Sequence, residues 1–214
     1  MRQLLILWMV GILWSADSSA ADPAVSANQR IGLVNVGGFD EPLFGRIADH
    51  IAKQLLTTPK VLAPRDLVGA DTIIAESSNL STLVTGDVAC VIGIAMLPDS
   101  IKQHGAVDPE SRTAIVNANG LKPLVYDEEH FGRRLEKEVI RCAGILMGMK
   151  PCPNPRCALH HYRNEQGLDA KGRNFCPPCA SRFRKIQAES NLNRRTQSLN
   201  GPPPSYACAS RVGG

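Results

Sequence analysis

Four cysteines carry the plainest chemistry in this sequence. Cys152 and Cys157 lie in C-P-N-P-R-C, Cys176 and Cys179 in C-P-P-C, and eighteen residues separate the pairs. Two short-spaced pairs at this separation match a tetrahedral zinc site in which each turn presents two thiolates to one ion. The prolines at 153, 155, 177 and 178 suit such turns, and Lys150, Arg156, Lys171 and Arg173 are nearby cations that would offset the negative thiolates. A site whose four ligands all come from the protein supports folding and leaves no open position for catalysis. Two disulfides are the alternative. The chain holds seven cysteines in all, an odd number, so at least one stays free or pairs between chains.

The elements that must position these cysteines precede them. Ile31 to Gly38, I-G-L-V-N-V-G-G, reads as a first strand ended by a glycine pair. A helix follows, capped by Asp40 with Pro42 in its first turn, and Leu43, Ile47, Ile51 and Leu55 recur at i+4 steps. K-V-L-A-P is a short second strand. Ala89 to Met96 is continuously apolar, as expected of a third strand buried on both faces. Thr113 to Leu121 is a fourth. A long helix is predicted over Asp127 to Met149, capped by Asp127, with Phe131, Leu135, Val139, Cys142 and Leu146 in one apolar stripe. These elements make an α/β or α+β core over 31–149. A cysteine-bearing subdomain over 150–190 follows, with a short last helix over Ala180 to Ser190.

The two ends differ from this core. Residues 1–20 have a basic start at Arg2, an apolar run from Leu4 to Trp14 and small residues up to Ala20, which is the pattern of a cleaved signal peptide. That run is shorter than the roughly 20 residues a membrane span needs, so export without a stable membrane span is expected. Residues 21–30 read as a polar leader and 191–214, rich in Pro, Gly and basic residues, as a disordered tail. The formal net charge of +4 is modest, and the basic residues are not interleaved with stacking aromatics, so nucleic acid is not an expected partner.

The stretch from Val139 to Cys179 resembles the archaemetzincins, zinc peptidases of the metzincin clan. Their signature is H-E-x-x-H-x-x-G-x-x-H-C, then a second cysteine four residues on, x-Met, and a later C-x-x-C. C-P-N-P-R-C and K-G-R-N-F-C-P-P-C follow its second half, while I-G-L-V-N-V and T-A-I-V-N-A-N-G-L-K-P resemble the family's first strand and the strand before its active-site helix. The resemblance implies a metzincin-like small mixed sheet, a long helix of the active-site type and a four-cysteine metal-binding subdomain. Registered on Gly148 and Cys152, it puts Arg141 at the first histidine, Cys142 at the glutamate, Ile145 at the second histidine and Pro151 at the third. Leu159 takes the methionine position, and Gly144 and Gly148 match.

All three ligands of the family's catalytic zinc, and its general base, are thereby replaced. Arg141 is a permanent cation, and Ile145 and Pro151 offer no donor atom. Cys142 falls on the apolar stripe and reads as a small buried residue. His160 or His161 is a conceivable substitute ligand near the cysteines, while His50, His104 and His130 are scattered, His130 reading as an exposed first-turn residue. Glu128 and Glu129 read as charge favourable to a helix N-terminus. Arg133, Arg134 and Lys137, set against Glu136 and Glu138, read as a solvated helix face.

The resulting expectation is an exported pseudopeptidase with no catalytic residues and one structural zinc on Cys152, Cys157, Cys176 and Cys179. Its former substrate cleft, floored by Arg141 and Ile145, is left to a peptide or protein. A zinc peptidase working through unrecognised ligands and a purely structural secreted domain are the alternatives.

Overall fold

The computed structural model describes residues 30–67 and 72–199, with side chains described to residue 189. The expected signal segment, nearly all of the leader, and residues 200–214 with Cys208 lie outside the described residues.

Strand β1 (Arg30–Val36) ends at Gly37 and Gly38, both at positive φ, where the chain turns into helix α1 (Glu41–Leu55). Asn35 secures this turn. Its amide nitrogen donates to the Phe39 carbonyl at 2.7 Å and to the Glu41 carboxylate at 2.9 Å, and its oxygen accepts from the Phe39 N–H at 2.7 Å. Asp40 caps α1 by accepting from the Leu43 N–H at 2.8 Å. Strand β2 is only Lys60–Val61, and β3 (Val88–Ala95) is buried along its whole length, as its apolar run implies. Strand β5 is Thr113–Asn117; a 3₁₀ turn over Asn119–Leu121 takes up the rest of the segment predicted as strand.

Two elements ahead of residue 127 were not anticipated, and neither was a short helix over Glu165–Ala170. Helix α2 (Ile73–Asn79) sits between β2 and β3, and strand β4 (Gly105–Asp108) pairs antiparallel with β5. The five-stranded sheet therefore runs β2-β1-β3-β5-β4, parallel except for the β4 edge. The mixed α/β architecture with a small mixed sheet is the one expected.

Helix α3 (Glu128–Leu146) crosses one face of the sheet beside α1. Phe131, Leu135, Val139, Cys142 and Leu146 enter a core shared with Ile47, Ile51, Ile92 and Ile94. A smaller core of Val34, Val91, Ile73, Leu80 and Ile115 fills the opposite face under α2. After α3 come α4 (Glu165–Ala170) and α5 (Pro177–Leu199). Helix α5 continues well past residue 190, where the tail was expected to begin.

Helix α3 closes on Gly148, at φ +82°. The Gly148 N–H reaches the Ile145 carbonyl and the Met149 N–H the Gly144 carbonyl, both at 2.9 Å. These paired bonds form a Schellman turn, which needs a left-handed residue at that position. It delivers the chain into Pro151 and Cys152 within four residues.

The charged side of α3 is not solvated. Arg134, Glu136, Lys137 and Glu138 are all buried. Arg134 holds Asp169 through two bonds of 2.7 Å and Glu165 at 3.1 Å, and Lys137 donates to the Leu168 and Asp169 carbonyls at the end of α4. Arg133 is only half-exposed and paired with Glu129. The expectation fails because α4 and the 171–173 segment fold back over a face that periodicity alone assigns to water. His130 is likewise only half-exposed, its Nε2 lying 2.7 Å from Asp169.

Candidate functional site

The four predicted cysteines converge. Their Sγ atoms all lie within 4.8 Å of one another, Cys157, Cys176 and Cys179 are buried, and Cys152 is partly so. Cys152 Sγ and Cys176 Sγ are 3.7 Å apart. Four sulfurs bound tetrahedrally at about 2.3 Å from zinc stand about 3.8 Å apart, so the donor set fits the ion. All six described cysteines are free.

The backbone builds the centre locally. Asn154 shapes the first turn by accepting from the Arg156 N–H at 2.9 Å, and its carbonyl takes the Cys157 N–H at 3.0 Å. The two cysteine segments are laced by Ala158 N–H to the Asn174 carbonyl at 2.9 Å and by Cys176 N–H to Cys157 Sγ at 3.4 Å. At Gly172 there is no room for a side chain, because a Cβ would collide with the Arg156 carbonyl oxygen.

Burial raises the Cys157 and Cys179 thiols. Burial pushes Cys176 up as well, but a bond from the Cys179 N–H and contacts with neighbouring thiols bring it below the ordinary value. Cys176 sits just ahead of α5, where N–H groups and the helix dipole favour a thiolate. The cations expected to do this are partly engaged elsewhere: Lys171 is wholly buried against Glu138, and Arg173 lies 3.2 Å from Glu136. His160 donates from Nδ1 to the Cys152 carbonyl at 3.0 Å, bracing the turn. Among the described residues, the four cysteines are the one group of three or more His, Cys, Asp or Glu gathered so that it could hold a metal.

The second feature is a cleft of about 360 Å³ between the start of β4, helix α3 and the segment after the first cysteine pair. Lys102, His104, Glu138, Arg141, His161, Tyr162 and Arg163 line it. Arg141, the position matched to the first histidine, is committed to Glu138 one turn earlier, with Nε at 2.8 Å and Nη2 at 2.6 Å from Oε1. The other carboxylate oxygen accepts from the Tyr162 hydroxyl at 3.0 Å and faces Lys171 Nζ at 3.5 Å. Tyr162 OH also meets His104 Nδ1 at 3.0 Å; the two rings stack, and Lys171 Nζ lies 4.6 Å from the tyrosine ring centre.

Burial alone would raise the Glu138 carboxyl, but Arg141 and Lys171 draw it below the usual carboxylate value. Burial lowers Lys171 to about 8 and also lowers His104. The other matched positions follow their chemistry. Cys142 is fully buried in the core, with burial pushing its thiol up to about 12, Ile145 is partly buried, and Pro151 is exposed. Leu159, at the methionine position, packs onto Gly144, where a Cβ would come within 2.7 Å of its Cδ2.

Sequence reading missed His104, Tyr162, Lys171 and Glu138 as a group. The one local signal was the i,i+3 spacing of Glu138 and Arg141 on α3.

No family model matches the chain. Among curated proteins, it is 32% identical over 79 residues to an archaemetzincin of Thermococcus kodakarensis, covering 35% of this chain and 42% of the relative. It is 29% identical over 92 residues to an archaemetzincin of Pyrococcus horikoshii, covering 41% and 49%. The match thus spans less than half the length of either relative. Among solved structures, a zinc-dependent peptidase from Methanocorpusculum labreanum superposes with a TM-score of 0.63 at 18% identity, covering 72% of this chain and 99% of that one. An archaemetzincin from Methanopyrus kandleri gives 0.58 at 18% identity, covering 76% and 97%. In local sequence and in fold, therefore, the chain is archaemetzincin-like.

Proposed function

We propose that this chain is an exported pseudopeptidase: an archaemetzincin-like scaffold that keeps one structural zinc and lacks peptidase activity. The observation that carries the reading is the Arg141–Glu138 ion pair, which fills the helix position matched to the first zinc ligand with a permanent cation. Cys142, matched to the general base, is buried away from the cleft with its proton held, and Ile145 and Pro151 have no donor atoms. A dication is repelled where it would need three neutral nitrogens, and without it no bound water is acidified.

Zinc on Cys152, Cys157, Cys176 and Cys179 would supply folding energy alone, since the protein provides every ligand. The cleft is then free to bind a ligand such as a peptide or protein segment. The apolar run at Leu4 to Trp14 supports export; no helix among the described residues is long and apolar enough to cross a membrane.

Metal content and peptidase assays on the purified protein test this directly. The expected result is one zinc per chain, lost on Cys176→Ser, with no peptide cleavage that a chelator abolishes. Two zincs per chain and chelator-sensitive cleavage would overturn the reading in favour of a working zinc peptidase. N-terminal sequencing of the exported protein should begin at about residue 21 or 22.

A further inference from the structure

The cleft at Arg141 has an unbalanced charge. Lys102, Arg141 and Arg163 line it, with Glu138 as its only carboxylate among the described residues. Glu138 is fully buried, and both of its oxygens are already engaged, by Arg141 on one side and by Tyr162 and Lys171 on the other. Lys171 adds a further cation immediately behind. The nearby Glu165 carboxylate is held by Arg134 at 3.1 Å. Lys102, His161 and Arg163 have no hydrogen-bond or ion-pair partner among the described residues. They are exposed at the rim, around a cavity of about 360 Å³.

We infer that this cleft is a binding site for a ligand bearing an oxyanion, either a carboxylate or a phosphate. The inference rests on the reading that the cleft holds no catalytic zinc. Glu138 holds the Arg141 guanidinium in place, while Lys102 and Arg163 come to the cleft from two different segments and His161 lines it with them. Convergent cations with a partly enclosed wall focus a positive potential, and charge-assisted hydrogen bonds to a bound oxyanion are about twice as strong as neutral ones. The volume lies at the lower end of small-ligand sites, so the bound portion is a small acid or a single charged group.

The test is calorimetric titration of the purified protein with inorganic phosphate and with succinate, at constant ionic strength maintained with sodium chloride. Wild type is expected to bind at least one of them saturably, and preference between the two identifies the group recognised. The double variant K102Q/R163Q, whose side chains are exposed and outside the fold's core, should bind at least about tenfold more weakly. K185Q, on the exposed side of α5, should bind as wild type.

Absence of saturation up to about 50 mM for both anions, or a loss in K102Q/R163Q no larger than in K185Q, overturns the inference. Zinc content measured on the same sample keeps the two failures apart. One zinc per chain without anion binding defeats this inference alone. Two zincs, with anion binding that a chelator removes, defeat the pseudopeptidase reading and assign the anion to a metal.

Discussion

Arg141 Nη2 and Glu138 Oε1 meet at 2.6 Å, one helical turn apart on α3, with the carboxylate wholly out of solvent. The same carboxylate faces the buried Lys171, so one anion balances two cations. Replacing it with a neutral group leaves buried charge uncompensated, which costs about 3–5 kcal/mol. Glu138→Gln is therefore expected to lose at least about 3 kcal/mol in urea unfolding. A loss below about 1 kcal/mol would place the group in an environment far wetter than the structure has it.

The four-cysteine cluster, read as a zinc site, predicts a different kind of loss. Cys176→Ser removes one of four thiolates, and the described core alone must then hold the 150–179 segment. The variant should bind less than a tenth of an equivalent of zinc after dialysis and melt at a lower temperature, by calorimetry, than wild type. A chelator added to wild type should move its melting temperature toward that of the variant.

Cys142→Ser makes a contrasting prediction. The Cys142 thiol is fully buried on the apolar stripe of α3, and burial drives its pKa up to about 12. A serine hydroxyl there exchanges water for at most a bond to its own helix backbone, at a cost of about 1–3 kcal/mol. Stability should fall by that amount while zinc content stays unchanged, and the native thiol should resist a disulfide reagent at neutral pH.

Gly172 sits where the two cysteine segments touch. A methyl group would press on the Arg156 carbonyl oxygen, so Gly172→Ala must spread the segments. A cost of about 1–3 kcal/mol is expected, together with faster zinc loss to a competing chelator. Unchanged zinc exchange would contradict the close approach.

Asp169 gives the pH dependence. Its hydrogen bonds with Arg134, reinforced by His130, hold its folded pKa at about 2, below the ordinary value of 3.8. A depressed carboxylate pKa contributes stability that is fully present above the unfolded value and disappears as pH falls through the folded one. The stability difference between wild type and Asp169→Asn should therefore be constant above about pH 5 and shrink between about pH 4 and 2. Comparing the two proteins removes metal loss common to both.

How far these relationships could be read from the sequence depended on their range. Helix α1 was legible because Asp40, Pro42 and the i+4 apolar series are all local, and β3 because eight consecutive buried residues leave no other reading. The convergence of the four cysteines was legible because two short-spaced pairs of one residue type are a local signal. Strand β4 was not, since G-A-V-D is four half-buried residues at a sheet edge and owes its form to pairing with β5. The ion network of α3 was misread as solvated for the same reason. Lys137, Glu138 and Arg134 find their partners 31 to 35 residues downstream, on α4 and the segment beyond it. Periodicity marks which side of a helix faces the sheet; it carries no information about what later folds over the other side.

The left-handed turn at Gly148 has one more consequence. Only Met149, Lys150 and Pro151 separate it from Cys152, so the end of α3 and the first sulfur of the cluster are held on a very short tether. An ion gripping Cys152 would thus also pin the last turn of α3, which follows directly on Arg141. Occupancy of such a site would then be mechanically linked to the shape of the neighbouring cleft through three residues, and withdrawing an ion from it would be expected to loosen the cleft floor before it disturbs the sheet.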